Sequence, residues 1–185
     1  MQILIMNGKG GSGKSTLTAA LAQVMDADII DHDNQGTLTL TSAMTGINKP
    51  ITAEGASKQV IIHDTPPYNT KSFKSQVKHA TAILIPCRVS YADLMAVGPV
   101  IGLVRECNAS AKTMIVFNCV RKPHNNAYRQ IKAAFQKNYQ DITKAETELS
   151  MLNSFLVVFA KKLEGQALSE TKALTKEIKR RLNIT

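Results

Sequence analysis

The chain has 185 residues, the usual size of one compact domain with a full core. Hydrophobic residues make up 44% and charged residues 20%, ordinary for a soluble globular protein, and no apolar run approaches the roughly 20 residues of a membrane-crossing helix. The formal net charge of +9 favours an anionic partner.

That charge is unevenly spread. Residues 1–120 carry ten Lys/Arg against eight Asp/Glu, whereas residues 121–185 carry thirteen against six. The last third therefore holds seven of the nine net positive charges and suggests a basic face, for nucleic acid or for an anionic membrane.

The chain opens on "QILIMN" (2–7), an apolar run that reads as a buried strand. It has neither a basic flank nor a small-residue cleavage site, so export is not expected. "GKGGSGKST" (8–16) follows at once and leads into a helix predicted over 14–25. Gly8, Gly13, Lys14 and Ser15 complete the pattern G-x-x-x-x-G-K-[ST] in the strand–loop–helix context a phosphate-binding loop requires. Backbone N–H groups of residues 10–15 (Gly10, Gly11, Ser12, Gly13, Lys14, Ser15) can wrap phosphates at a helix N-terminus. Lys14 would neutralise the β- and γ-phosphates, the Ser15 hydroxyl would ligate Mg²⁺, and Thr16 is placed for the α-phosphate. Lys9 is a second cation in the same turn, repelled by Lys14 unless an anion lies between them or Lys9 points elsewhere.

The next strand, "ADIIDH" (27–32), ends beside Asp31 and Asp33, which at i, i+2 on extended chain point to one side, towards the rim where α/β sheets bind ligands. A solvated turn or helix cap suits Asp33–Asn34 equally well. "QVIIHD" (59–64) places Asp64 at the end of an apolar strand, the arrangement of a Walker B carboxylate that holds Mg²⁺ through water. A helix over 71–79, a strand over 81–86, a helix over 91–107 offset by Pro99, a strand over 113–118 ending at Asn118 and a helix over 124–137 come next. Beyond Asn138 the pattern is helical, over 144–158 and 168–182. In the last helix Leu168, Thr171, Leu174, Ile178 and Leu182 share a stripe, while Lys172, Lys176, Lys179 and Arg180 lie mainly elsewhere.

This alternation implies an α/β fold of three α/β/α layers with a mostly parallel central sheet, in a single domain over 1–185 with a basic helical part from about 121. The cysteines Cys87, Cys107 and Cys119 are odd in number and widely spaced, which fits reduced thiols in a cytoplasmic protein better than a disulfide framework or a zinc site. His32, His63, His79 and His124 make no ligand-spaced cluster either.

"KGGSGKST" (9–16), "DHDNQG" (31–36) and "IIHDTPP" (61–67) together resemble the deviant Walker A, Walker A′ and Walker B elements of ParA/MinD-type ATPases. "LIPCRVSYADLMAVGPVIGLV" (84–104) and "TKALTKEIKRRL" (171–182) are similar to further parts of that family, so the resemblance covers nearly the whole chain. Within the family the chain resembles most the small plasmid-partition ParA proteins such as ParF. The resemblance implies a P-loop NTPase of the deviant Walker A type that uses ATP and Mg²⁺. It makes Lys9 the signature lysine that reaches the phosphates bound by the other subunit, Asp33 the carboxylate that positions the attacking water, and Asp31 its neighbour near the metal shell. Asn118 matches an adenine-contacting asparagine, and Thr65 to Pro67 begin the switch that senses the γ-phosphate. Asn34 departs from the family, which usually has proline there.

Three functions compete on these residues. The first is a partition ATPase, cytoplasmic and nucleoid-associated, whose ATP-dependent homodimer binds DNA without sequence preference and is stimulated by a ParB-like partner. Candidate phosphate contacts are Arg121, Lys122, Arg129, Lys132, Lys176, Lys179, Arg180 and Arg181. The second is a MinD-like membrane switch driven by the terminal helix, disfavoured because the stripe lacks Phe and Trp. The third positions another cargo by the same chemistry.

Overall fold

The computed structural model describes every residue except 34–36, 48–49, 68–72, 122 and 185. Six strands form one sheet in the order β2-β3-β1-β4-β5-β6: β1 (Gln2–Ile5), β2 (Asp28–Asp31), β3 (Ile61–Asp64), β4 (Ala82–Cys87), β5 (Thr113–Phe117) and β6 (Thr143–Lys144). All five pairings are parallel. Because β1 connects to β2 on one side of it, while the chain later passes from β3 across β1 to β4 on the other, the loop after β1 lies where neighbouring crossovers part, the usual ligand position of such sheets.

Side-chain alternation sends successive residues to opposite faces, and both faces are covered. Ile3, Ile5, Ile62, Leu84, Met114 and Val116 belong to one core, built with α1 (Lys14–Met25), α7 (Asn153–Leu156) and α8 (Gly165–Arg181), together with Leu38 of α2 (Thr37–Thr45). Leu4, Met6, Ile83, Ile85, Ile115 and Phe117 belong to the other, under α3 (Lys74–His79), α4 (Tyr91–Ala96), α5 (Gly98–Glu106) and α6 (Asn126–Asn138).

The structure departs from the expected elements in three places. The helix expected over 91–107 is two helices, α4 and α5, because Gly98 and Pro99 open a new first turn after Val97, where the missing proline N–H costs nothing. The segment 37–45, for which the sequence reading expects no element, is helical. Ser42 and Thr45 hydroxyls satisfy themselves on the carbonyls of Thr39 and Thr41, and Leu38 is buried. The helix expected over 144–158 does not form. Its first half runs along the exposed edge of β5 as β6 and an irregular continuation, with Ala145 N donating to Ile115 O and Leu149 N to Phe117 O. Pairing with that edge outweighs the helix propensity of Ala, Glu and Leu, which is a weak local preference. Only Asn153–Leu156 is helical there.

Candidate functional site

The loop after β1 is held from both ends. Asn7, buried, donates from Nδ2 to Pro86 O at 2.8 Å and accepts from Lys9 N at 2.9 Å. Gly11 and Gly13 have φ of 71° and 92°, a region closed to most L-residues. Gly13 is also sterically required, since a Cβ there would sit 2.1 Å from Asn118 Nδ2. It is the N-cap of α1 and has no side chain to satisfy the helix's first N–H groups, which leaves them for an anion.

Lys14 and Lys9, both drawn from the same loop, go different ways. Lys14 is 6% exposed, and its Nζ donates to the Lys9 carbonyl at 3.4 Å. Burial pushes its pKa down, while Asp64 and Asp33 pull it up. Lys9 Nζ turns outward to Asp93 Oδ2 at 2.9 Å. Asp93 is 1% exposed and sits in the first turn of α4, where its N–H donates to the Ser90 hydroxyl and its carboxylate accepts a hydrogen bond from that hydroxyl. Its other oxygen is buried without a partner among the described residues.

The carboxylates expected to serve a metal are brought together. Asp31 and Asp64 are partners across the β2–β3 ladder. Asp64 is 1% exposed and takes hydrogen bonds from Ser15 and from Thr18 Oγ1, the latter at 3.2 Å. Burial, with Asp31 as a lesser cause, raises its pKa to about 7. Asp31 accepts from Asp33 N at 2.9 Å and from Thr39 Oγ1 at 3.1 Å, so it organises the turn that carries Asp33 and the first turn of α2. Asp33 lies close enough to Lys14 to raise its pKa. Asn34 and the rest of that turn lie outside the described residues.

A cleft of about 470 Å³ runs from Gly11, Gly13 and Thr16 to an apolar end built by Met151, Leu152 and Phe155. Asn118 forms part of it. Its Nδ2 donates to Ser12 O at 2.6 Å, so the amide is engaged by the loop itself, while its Oδ1 is buried without a partner among the described residues. Ser12 Oγ is likewise buried and unpartnered among the described residues. Two orphaned oxygens beside an open helix N-terminus fit a ligand that carries both phosphates and hydrogen-bond donors.

Sequence reasoning missed Asn7, Asp93 and the wall at 150–155. The S-x-x-D spacing of Ser90 and Asp93 is a legible capping signal, whereas nothing local marks the wall. His32 and His63, expected as ordinary surface or packing residues, stack with their ring centroids 5.3 Å apart and share a hydrogen bond of 2.9 Å. Among the described residues no group of three or more His, Cys, Asp or Glu could hold a metal ion by itself. All three cysteines are free thiols.

The basic residues divide into two sets. Lys176, Lys179 and Arg180 are exposed on α8, and Arg121 and Arg129 are exposed before and within α6. Lys132 and Arg181 are half-buried and committed to Glu148 and to Glu146 and Glu177, and the exposed Arg180 also stands 3.8 Å from Glu146. Lys122 lies outside the described residues. The stripe on α8 is core: Thr171, Leu174 and Ile178 are 0% exposed. No helix among the described residues is long and apolar enough to cross a membrane.

A family model described as the CobQ/CobB/MinD/ParA nucleotide binding domain matches residues 3–183. Comparison with curated proteins returns no significant match. Among solved structures, a protein assigned to plasmid partition in Borrelia burgdorferi B31, bound to AMPPNP, superposes with a TM-score of 0.74 at 15% identity, covering 96% of this chain and 97% of that one. An ATP complex of a McdA variant from Cyanothece gives 0.75 at 11% identity, covering 100% and 96%. The MinD cell division protein of Aquifex aeolicus gives 0.66 at 16% identity, covering 96% and 95%.

Proposed function

The chain belongs to the CobQ/CobB/MinD/ParA nucleotide binding domain family, and from that premise we propose that it is a partition-type ATPase. Two copies close on ATP and Mg²⁺, the closed dimer binds DNA without sequence preference, and a ParB-like partner stimulates hydrolysis and release. The observation that carries this reading is the divergence of the two loop lysines. Lys14 is buried in the phosphate cradle, while Lys9 leaves it for Asp93 with its side chain 36% exposed, and on this reading that exposed cation serves a second copy.

The remaining residues support this chemistry. The loop N–H groups and Lys14 bind the phosphates and offset their charge. Ser15 and Asp64 offer the oxygen donors that suit Mg²⁺, with Asp31 beside them, and bound phosphate oxygens would complete a ligand set that the side chains alone do not make. Mg²⁺ would neutralise charge developing on the β- and γ-phosphates. Asp33 orients the attacking water, and Lys9 of the other copy stabilises the transferring phosphoryl group, as an arginine finger does elsewhere. The nucleotides in the Borrelia and Cyanothece structures agree with ATP as the ligand. The exposed cations of α8 supply phosphate contacts for DNA. A membrane switch is poorly supported because the apolar stripe of α8 is already used in the core. A cargo other than DNA would be carried by the same cycle.

The test is Lys9→Ala. It should keep nucleotide binding by the monomer and lose ATP-dependent dimerisation, read by light scattering, together with turnover. Normal turnover by Lys9→Ala overturns the reading. DNA affinity of the Asp33→Ala variant with ATP should fall with salt at a log–log slope of about −0.9 per phosphate contact.

A further inference from the structure

The β6 edge reaches the cleft through a bulge that α8 holds in place. Ala145 N bonds to Ile115 O at 2.8 Å and Leu149 N to Phe117 O at 2.9 Å, so four residues of the edge span two of β5. The N–H groups of Glu146 and Thr147, left without a β5 carbonyl, donate to the two oxygens of Glu177 at 2.7 and 2.8 Å. Beyond the bulge, Leu149 O and Met151 N both bond to Val120, which sets Ser150 opposite Val120 with its own N–H turned away from the sheet.

That N–H donates to Glu170 Oε2 at 2.8 Å, and the Ser150 hydroxyl donates to Oε1 at 2.7 Å. Gln166 Nε2 steadies the same oxygen at 2.8 Å. Glu170 and Glu177 stand two turns apart on one face of α8, and each grips the edge segment at a different point. Of the two grips the Glu170 one is on the cleft itself, because Ser150 lines it together with Leu149, Met151, Leu152 and Phe155, whereas Glu146 and Thr147 do not. Through the Val120 bridge the wall is also tied to the chain that carries Asn118.

We infer that Glu170 is a positioning residue for the nucleoside end of the bound nucleotide: its carboxylate fixes Ser150, and with it the wall against which the base and sugar pack. The inference rests on reading the cleft as a nucleotide site. Among the described residues Glu170 bonds to Ser150 and Gln166 and not to the loop proposed to hold phosphate, so its removal should separate the two ends of the ligand. A carboxylate that accepts a backbone N–H makes one of the stronger hydrogen bonds available, and losing it frees the wall without unmaking the phosphate cradle.

The experiment titrates the full chain with Mg²⁺-ATP and, separately, with Mg²⁺ and inorganic tripolyphosphate, in wild type, Glu170→Ala, Glu170→Gln and Glu177→Ala. Glu170→Ala should weaken ATP about tenfold and leave tripolyphosphate within about twofold. Glu170→Gln, which keeps an acceptor for Ser150 N–H, should recover most of the loss. Glu177→Ala controls for helix packing: it should lower the melting temperature at least as much as Glu170→Ala while keeping the wild-type ratio of the two affinities. Equal losses for both ligands in Glu170→Ala, no loss for either, or the same change of ratio in Glu177→Ala overturn the inference. A wild-type chain that binds no ATP overturns the nucleotide reading itself, and the inference with it.

Discussion

Gly13→Ala tests how the phosphate loop is built, and its cost divides into two parts. The backbone at Gly13 has φ of 92°, where an L-residue costs roughly 1–2 kcal/mol. The new methyl would also lie 2.1 Å from Asn118 Nδ2. Asn118 is 5% exposed and cannot retreat to solvent, so it must give up its 2.6 Å bond to Ser12 O. A buried acceptor left unpaired costs about 1–3 kcal/mol, for a total near 2–5 kcal/mol. That is a large part of the roughly 5–15 kcal/mol stability of a typical domain. Asn118→Ala removes the obstacle, so in that background Gly13→Ala should cost only the backbone part, about 1–2 kcal/mol. Urea unfolding of the two single variants and the double variant gives the coupling, expected at about 1–3 kcal/mol. Equal costs of Gly13→Ala in both backgrounds, within about 0.5 kcal/mol, would refute the steric argument.

Asp93→Ala releases Lys9 from its partner in the same chain and should lower the ATP concentration needed for half-maximal dimerisation, read by light scattering; a higher requirement would mean that Asp93 holds Lys9 in its productive position. Leu174→Ala, at a site that is 0% exposed in the core between α8 and the sheet, should cost about 2–5 kcal/mol and move the denaturant midpoint with little change in m. Burial, and secondarily His32, push the His63 pKa from 6.5 down to about 4, so the unfolded chain binds the proton first as pH falls. Stability should therefore be fully present above about pH 6.5 and decline towards pH 4, and unfolding midpoints of His63→Gln should be flatter across that window.

Much of the site is written in contiguous sequence. The phosphate loop, Asp31 with Asp33, and Asp64 each lie at the end of a short apolar strand, and strand ends in a parallel sheet gather at one rim. The helix expected over about 14–25 forms as α1, and the structure ends it at both sides on a residue at positive φ, Gly13 and Asp26. The helix expected over 144–158 failed for a non-local reason. Its residues satisfy the open edge of β5, and that edge is visible only once β5 has been placed in the sheet.

The amino-acid sequence by itself determined the fold class and the chemistry of phosphate binding, since both depend on residue types at fixed short spacings. Tertiary structure decided where Lys9 points, because its partner Asp93 lies 84 residues away. It also decided that Asn118 braces the loop through Ser12, that the α8 stripe is core, and that Lys132 and Arg181 are spent on internal carboxylates. The wall at Ser150 is the clearest case. It takes its position from Val120 on one side and Glu170 on the other, hydrogen bonds between segments that no local pattern relates.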